Sequence, residues 1–315
     1  MKVRLGYIAT PLTLDSITYA HTITYTHYQK LDASKQHQAL DKLLRTNLTI
    51  FQQVLYYNYC NEVFFYRFSH NLVPLATHPC VQFDYINPYL SIWQQLGQMI
   101  KDYQIRMDSH PDQFCVLNSL NPKVISATRE HLLFHYRLFQ AMKIPAKVVL
   151  HVGSSKPDKK QAKLNFIKQF QKLPIDLQKM IMLENDDKIF TMEDVLELAQ
   201  TLHIPMVFDY HHYLCNHQQL LTKDILIAIF NTWDKEIYPP KVHFSSPKSK
   251  KEPRAHSEYI NEKSFLQFLQ ILKEVDHDVD IMLECKGRDL ALFKLARQLK
   301  CHEQIRFLNE TTFIF

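Results

Sequence analysis

The chain has 315 residues, 46% hydrophobic and 22% charged, the balance of a water-soluble globular protein able to bury a substantial core. A formal charge of +5 is modest, and no apolar run reaches the roughly 18 residues of a membrane span, so a bilayer is not an expected partner. Four glycines exclude a glycine-rich phosphate loop or dinucleotide fingerprint; six cysteines without a CxxC pair argue against a zinc ribbon and fit a reducing cytoplasm.

KVRLGYI (2–8) opens the chain without the apolar stretch of a signal peptide, and is the first of eight short apolar segments. The others are EVFFYRFS (62–69), YQIRMDSH (103–110), AKVVLHVG (146–153), KMIMLEN (179–185), PMVFDYHH (205–212), KVHFSS (241–246) and VDIMLECK (279–286). Near-continuous apolar character with frequent Val and Ile predicts parallel strands covered on both faces. Between them run helical stripes. Leu40, Leu43, Leu44, Leu48, Phe51, Val54 and Leu55 recur every three or four residues, and Phe265, Phe268, Leu269 and Leu272 repeat the pattern. Thr191 of TMED is placed to cap a helix, and Pro145, Pro174 and Pro205 mark returns from helix to strand. Eight strand–helix units without a linker predict one α/β domain over residues 1–315. The count is that of a closed (β/α)8 TIM barrel, although periodicity alone does not separate it from an open doubly wound sheet.

Nearly every strand ends in a side chain that binds metals or moves protons: His110, His151, Glu184, Asp209 with His211 and His212, His243, and Glu284. A single such histidine is ordinarily a rim or core residue. Histidines at four strand ends and three acids meeting at one barrel mouth are another matter, because buried like charges repel and an unpaired carboxylate costs several kcal/mol. Shared divalent cations resolve the conflict. Imidazole and carboxylate ligands without thiolates suit Mn, Zn or Fe, and Glu184 is placed to bridge two ions. Ions held this way can clamp a phosphate and activate a water, or can serve the hydride shift of a sugar isomerase.

HPDQF (110–114) keeps His110 extended before Pro111 and places Gln113 and Phe114 on the next loop, an amide and a ring suited to probing bases. In KVHFSSPKSKKEPRAHSEY (241–259), a basic loop with Lys248, Lys250, Lys251 and Arg254 lies between His243 and His256. If both histidines are ligands, that loop overhangs the metals where a phosphate backbone can run, and KPDKK (156–160) flanks the same face.

LGY (5–7), YRFSHNLVPLATHP (66–79), HPDQF, VVLHVGS (148–154), MLENDD (182–187), FDYHH (208–212), KVHFSS, RAHS (254–257) and MLECKG (282–287) occur in the order found in UV damage endonucleases, relatives of endonuclease IV, and the chain resembles that family over nearly its whole length. The resemblance implies a three-metal TIM-barrel nuclease that cuts double-stranded DNA immediately 5′ to a UV photoproduct. Manganese is the implied cofactor, with Zn2+ or Mg2+ as alternatives. It assigns His110, His151 and Glu184 to one ion, Glu184, Asp209, His243 and Glu284 to a second, and His212 and His256 to a third. Glu184, Lys241 and His243 are then expected to carry catalysis. Lys241 matches a lysine that can be carboxylated in a relative, the alternative being an amine that contacts phosphate. Tyr7, Gln113 and Phe114 match residues that wedge into the duplex, with Asn71 beside the DNA. Phe114 stands where the family can carry Tyr, and Pro11 where it can carry Asn. The expected enzyme is a cytoplasmic monomer. Its rivals are an abasic-site endonuclease, a metal-dependent sugar isomerase or epimerase, and a non-catalytic DNA-binding module.

Overall fold

Each of the eight apolar segments contains a strand, seven of them only four or five residues long. They are β1 (Lys2–Ile8), β2 (Phe65–Phe68), β3 (Arg106–Ser109), β4 (Val148–His151), β5 (Ile181–Glu184), β6 (Met206–Asp209), β7 (Lys241–Phe244) and β8 (Val279–Leu283). The structure, a computed structural model, describes residues 1–14, 17–112 and 114–315. Helices α1 (Tyr25–Tyr28) and α2 (Ala33–Cys60) follow β1, α3 (Leu90–Asp102) follows β2, and α4 (Pro122–Met142) follows β3. After β4 come α5 (Lys159–Phe170) and α6 (Ile175–Met180), and after β5 comes α7 (Met192–Leu202). Then α8 (Tyr210–Cys215) and α9 (Lys223–Asn231) follow β6, α10 (Glu262–Lys273) follows β7, and α11 (Arg288–Leu299) follows β8. Strands pair in parallel in chain order, β8 pairs with β1, and Tyr7–Tyr66 with Ile8–Arg67 joins β1 to β2. The sheet is therefore a closed parallel barrel, and the open-sheet alternative falls.

A C-terminal hairpin was not foreshadowed. Strands β9 (Arg306–Phe307) and β10 (Thr312–Ile314) pair antiparallel, and β10 lies along Lys2–Arg4, below the two residues of β1 that reach β2. Strands of two and three residues are too short to show a period.

Strand parity separates two environments. Val3, Leu5 and Tyr7 of β1, Val148 and Leu150 of β4, and Ile181 and Leu183 of β5 join the large core shared with the helices. Against them α2 buries Leu40, Leu44, Leu48, Phe51, Val54 and Leu55, each contributing about 1.5–3 kcal/mol. Alternate positions instead fill the barrel. Val149, Met182 and Val207 form a small separate apolar cluster with Trp233. Beside it the filling is charged. Arg4 Nε donates to Asp280 at 2.8 Å, and Arg106 Nη1 donates to the same carboxylate at 2.5 Å. No helix among the described residues is long and apolar enough to cross a membrane.

Candidate metal centre

The same alternation that sends Val149, Met182 and Val207 into the barrel sends His151, Glu184 and Asp209, two residues further on, to its C-terminal mouth. Register does the rest: His151 lies opposite Glu184, and Asp209 opposite His243. His110, just past β3, brings its ring to 5.2 Å from that of His151. Two groups of potential ligands result, His110–His151–Glu184 and Glu184–Asp209–His243–Glu284, each with ligand atoms within 4.8 Å of one another.

Glu184 belongs to both groups, and its two oxygens face different partners. Oε2 is 3.4 Å from His110 Nε2 and 3.5 Å from His151 Nε2. Oε1 is 2.7 Å from His243 Nδ1 and 3.6 Å from His212 Nδ1. Ligands on a tetrahedral ion with bonds of about 2.1 Å stand roughly 3.4 Å apart, the spacing on the Oε2 side. Glu184 Oε2 and Asp209 Oδ2 are also buried with no hydrogen-bond partner, a costly state for a carboxylate that a cation relieves. The residues present thus fit divalent ions.

The electrostatics agree. Burial works to raise the Glu184 carboxyl, but the His243 and His151 rings outweigh it and hold Glu184 well below the usual carboxylate range. Glu284 is lowered too, with burial overcome by His243 and Arg67. Burial pushes His151 and His243 down, toward the neutral imidazole that binds metals. His212 goes the other way: burial opposes its charge, yet Asp209, Glu184 and Glu284 raise it to about 9. Surplus negative charge at the mouth is what puts a proton there.

Three residues with no expected role complete the centre. Arg67 is buried in β2, donating from Nη1 to Glu284 Oε1 at 2.5 Å and from Nε to Asp108 Oδ1 at 3.1 Å. Its Nη2 donates to His243 Nε2 at 2.5 Å. A guanidinium accepts nothing, so Nε2 is the acceptor in this pair, and Nδ1 is the nitrogen that faces Glu184 and the ligand group. Asp108 in turn accepts from Lys241 Nζ at 2.6 Å. Asn185 is fully buried; its Nδ2 donates to Asp209 O and its Oδ1 accepts from Asp209 N, both at 2.9 Å, while its own carbonyl lies 2.9 Å from His212 Nδ1. The signals were present in the sequence as an arginine inside the apolar FYRF and an amide directly after Glu184 in LEND.

Other expectations fare differently. Lys241 has no exposed surface; its Nζ donates to Asp108, and burial and Arg67 lower it to about 7 against the pull of Asp108. Tyr7, expected to face a duplex, points away from the barrel mouth. Its parity turns it to the helix layer, where it is fully buried and its hydroxyl donates to Asn58 Oδ1 at 2.6 Å. The His212 and His256 rings stand 6.2 Å apart, and among the described residues no third group of three ligands forms around them. Phe114 is 74% exposed, Asn71 is exposed, and Gln113 lies outside the described residues. The basic loop is pinched at its base by a bridge between Pro247 and His256, and the Arg254 carbonyl lies 3.3 Å from His211 Nε2, which ties the loop to α8. Lys248, Lys250, Lys251 and Arg254 are on it; Lys248 pairs with Glu252 and Arg254 with Asp187.

Fold and site together define a TIM-barrel protein with a carboxylate–imidazole centre for divalent metals at its strand ends. The sequence matches the family described as UV-endonuclease UvdE over residues 3–315. The chain belongs to that family and is an enzyme of the nuclease class. It is 37% identical over 314 residues to the UV DNA damage endonuclease of Bacillus thuringiensis subsp. konkukian (strain 97-27), covering 99% of each chain. Against the protein of the same name in Bacillus cereus (strain ATCC 10987 / NRS 248) the identity is 38%, again over 99% of each. The crystal structure of SacUVDE superposes with a TM-score of 0.85 at 31% identity, covering 95% of this chain and 98% of that one. Endonuclease IV from Thermus thermophilus shares the fold, with a TM-score of 0.56 at 12% identity over 94% of this chain and 99% of that one.

Proposed function

We propose that the protein is a divalent-metal-dependent endonuclease that hydrolyses the DNA phosphodiester immediately 5′ to a UV photoproduct, a cyclobutane pyrimidine dimer or a 6–4 product, leaving a 3′-hydroxyl and a 5′-phosphate. Membership of the UV-endonuclease family supports the substrate. The observation that carries the chemistry is Glu184, whose two oxygens each face a separate ligand set across a buried centre. His110, His151 and Glu184 would hold one ion, and Glu184, Asp209, His243 and Glu284 a second. His212 and His256 supply two ligands toward a third. Mn2+ is the proposed ion, with Zn2+ and Mg2+ as alternatives. Bound divalent ions supply charge neutralisation at the scissile phosphate and a water acidic enough to attack it.

The chain's own residues prepare that centre. Arg67 holds the Glu284 carboxylate and the His243 ring in place and keeps one cation among four acids. Asn185 locks Asp209 to the tip of β5. Lys241, paired with Asp108, sets the far side of Arg67, so its contribution is to position rather than to touch substrate. Around the mouth, Lys248, Lys250, Lys251 and Arg254 supply salt-dependent attraction to the DNA backbone. Phe114 and Gln113 are suited to replace bases pushed out of the stack, which costs least where a lesion has already weakened it, and Asn71 is the proposed contact from the loop after β2. The enzyme acts as a monomer in the cytoplasm, residues 1–315 forming one catalytic unit.

Irradiated and unirradiated plasmid, incubated with the protein and Mn2+, test this directly. Nicks confined to the irradiated plasmid, abolished by EDTA and by Glu184→Gln, are expected. Equal nicking of both plasmids would reject lesion specificity, and much faster cutting of abasic duplexes would make the protein an abasic-site enzyme instead.

A further inference from the structure

Residues 9–24 join β1 to α1 and, apart from Asp15 and Ser16, which lie outside the described residues, contain neither helix nor strand. A segment this long at the C-terminal rim of a barrel is where such folds place recognition. Ala9, Tyr19 and His21 are held from β2 and α2, whereas residues 10–13 are held by one short stretch of chain after β8. Arg288 Nη1 donates to Thr10 O at 2.7 Å. Asp289 is fully buried in the first turn of α11 and accepts from Leu12 N at 2.6 Å, Thr13 N at 3.2 Å and Tyr57 Oη at 2.9 Å. The clamp leaves the Leu12 side chain 38% exposed, an apolar group fixed at the rim with its backbone anchored.

The same stretch also serves the metal centre. Glu284, a candidate ligand, lies five residues before Asp289. Between them Lys286 N donates to Ser257 O at 3.1 Å and Gly287 N donates to Glu258 O at 2.9 Å, holding the chain just after His256. A Cβ on Gly287 would come within 2.5 Å of Glu258 O, so the contact needs glycine. Arg288 then takes φ +43°, a left-handed conformation that costs a non-glycine residue free energy and is retained where neighbouring contacts enforce it.

We propose that residues 284–289 form a bracket joining the metal centre to the rim segment 10–14, with Asp289 as the positioning residue that presents Leu12 to the duplex near the cleaved bond. The proposal rests on the nuclease assignment above. The bracket ties recognition to chemistry through one short run of consecutive residues, so a duplex that seats against Leu12 is registered relative to Glu284 and His256. Leu12 is the part that meets substrate; Asp289 acts only through the backbone amides of Leu12 and Thr13.

Steady-state nicking of an oligonucleotide duplex carrying one photoproduct, with wild type, Leu12→Ala, Asp289→Ala and Asp289→Asn, separates the possibilities. Leu12→Ala is expected to raise KM about tenfold, the worth of a leucine side chain withdrawn from contact, with kcat little changed and no loss of Tm. Asp289→Ala is expected to raise KM at least as much, to speed hydrogen exchange at the Leu12 and Thr13 amides, and to leave Mn2+ stoichiometry intact. Asp289→Asn, which keeps one acceptor, falls between. Unchanged KM in Leu12→Ala, or unchanged amide exchange in Asp289→Asn, overturns the proposal while the nuclease assignment stands. A wild type that leaves the lesion duplex uncut overturns both. Leu12→Ala remains decisive even if Asp289→Ala does not fold.

Discussion

Arg67 is the residue on which the charge balance of the centre most depends, and replacing it with methionine tests that dependence. Its guanidinium touches Glu284, Asp108 and His243, all buried, with Glu184 close enough to add to the attraction. Removing one partner from a buried charged set costs about 3–5 kcal/mol, because the remaining charges lose their compensation inside the protein. Unfolding entropy of about 2.1 cal/mol/K per residue gives a chain of 315 residues roughly 0.7 kcal/mol per degree, so the expected fall in Tm is about 5–8 °C. That figure applies in EDTA. With saturating Mn2+ the carboxylates regain cationic partners, and the deficit of Arg67→Met should shrink to less than half. Removing a nearby positive charge also makes the site more attractive to a cation, so the Mn2+-induced rise in Tm should be larger in the variant than in wild type. Thermal melts of both proteins in EDTA and across a Mn2+ titration measure these quantities. Equal losses of Tm with and without metal would show that Arg67 is a packing residue unconnected to a cation site. No loss in EDTA would show that its buried ion pairs contribute nothing.

Two further outcomes are expected. His135 is fully buried, neither ring nitrogen has a hydrogen-bond partner, and burial, helped by His70, His131 and His110, lowers it to about 3. The unfolded chain, with an ordinary histidine value of about 6.5, binds the proton first, so stability is whole above that pH and falls as pH drops toward 3; between pH 7 and 5 the loss is about 2 kcal/mol. His135→Leu, similar in size and set beside Phe68 and Phe134, should remove that loss in urea melts at the two pH values, and an unchanged pH slope would refute the assignment. Phe114→Ala should leave Tm within about 1 °C, since the ring is 74% exposed, yet weaken binding to a lesion duplex by about 1–3 kcal/mol of lost stacking, whereas Phe114→Tyr should bind like wild type. Fluorescence anisotropy reads the difference, and equal affinity of Phe114→Ala and wild type would remove the ring from recognition.

What the amino-acid order settled is local. A four-residue strand with both faces covered must be apolar, and a helix on that barrel must carry its stripe, so all eight strands and the long Leu40–Leu55 stripe were visible as patterns. The candidate ligands were visible for the same reason: a glutamate or histidine closing a run such as MIMLE or VVLH contradicts its surroundings unless something charged waits at the tip. The tertiary structure decided which of these tips meet and which way each side chain turns. Whether the sheet closes depends on Tyr7–Tyr66 and Ile8–Arg67, a pairing between distant stretches of chain that no local period encodes. Parity relative to the barrel axis, set only by closure and register, sent Tyr7 into the helix layer and Lys241 into a buried pair with Asp108, although both had looked able to touch DNA. Arg67 and Asn185 show the same limit from the other side. Their importance lies in partners up to 217 residues distant: an arginine inside FYRF or an amide in LEND marks a buried polar group without naming the charge that will face it.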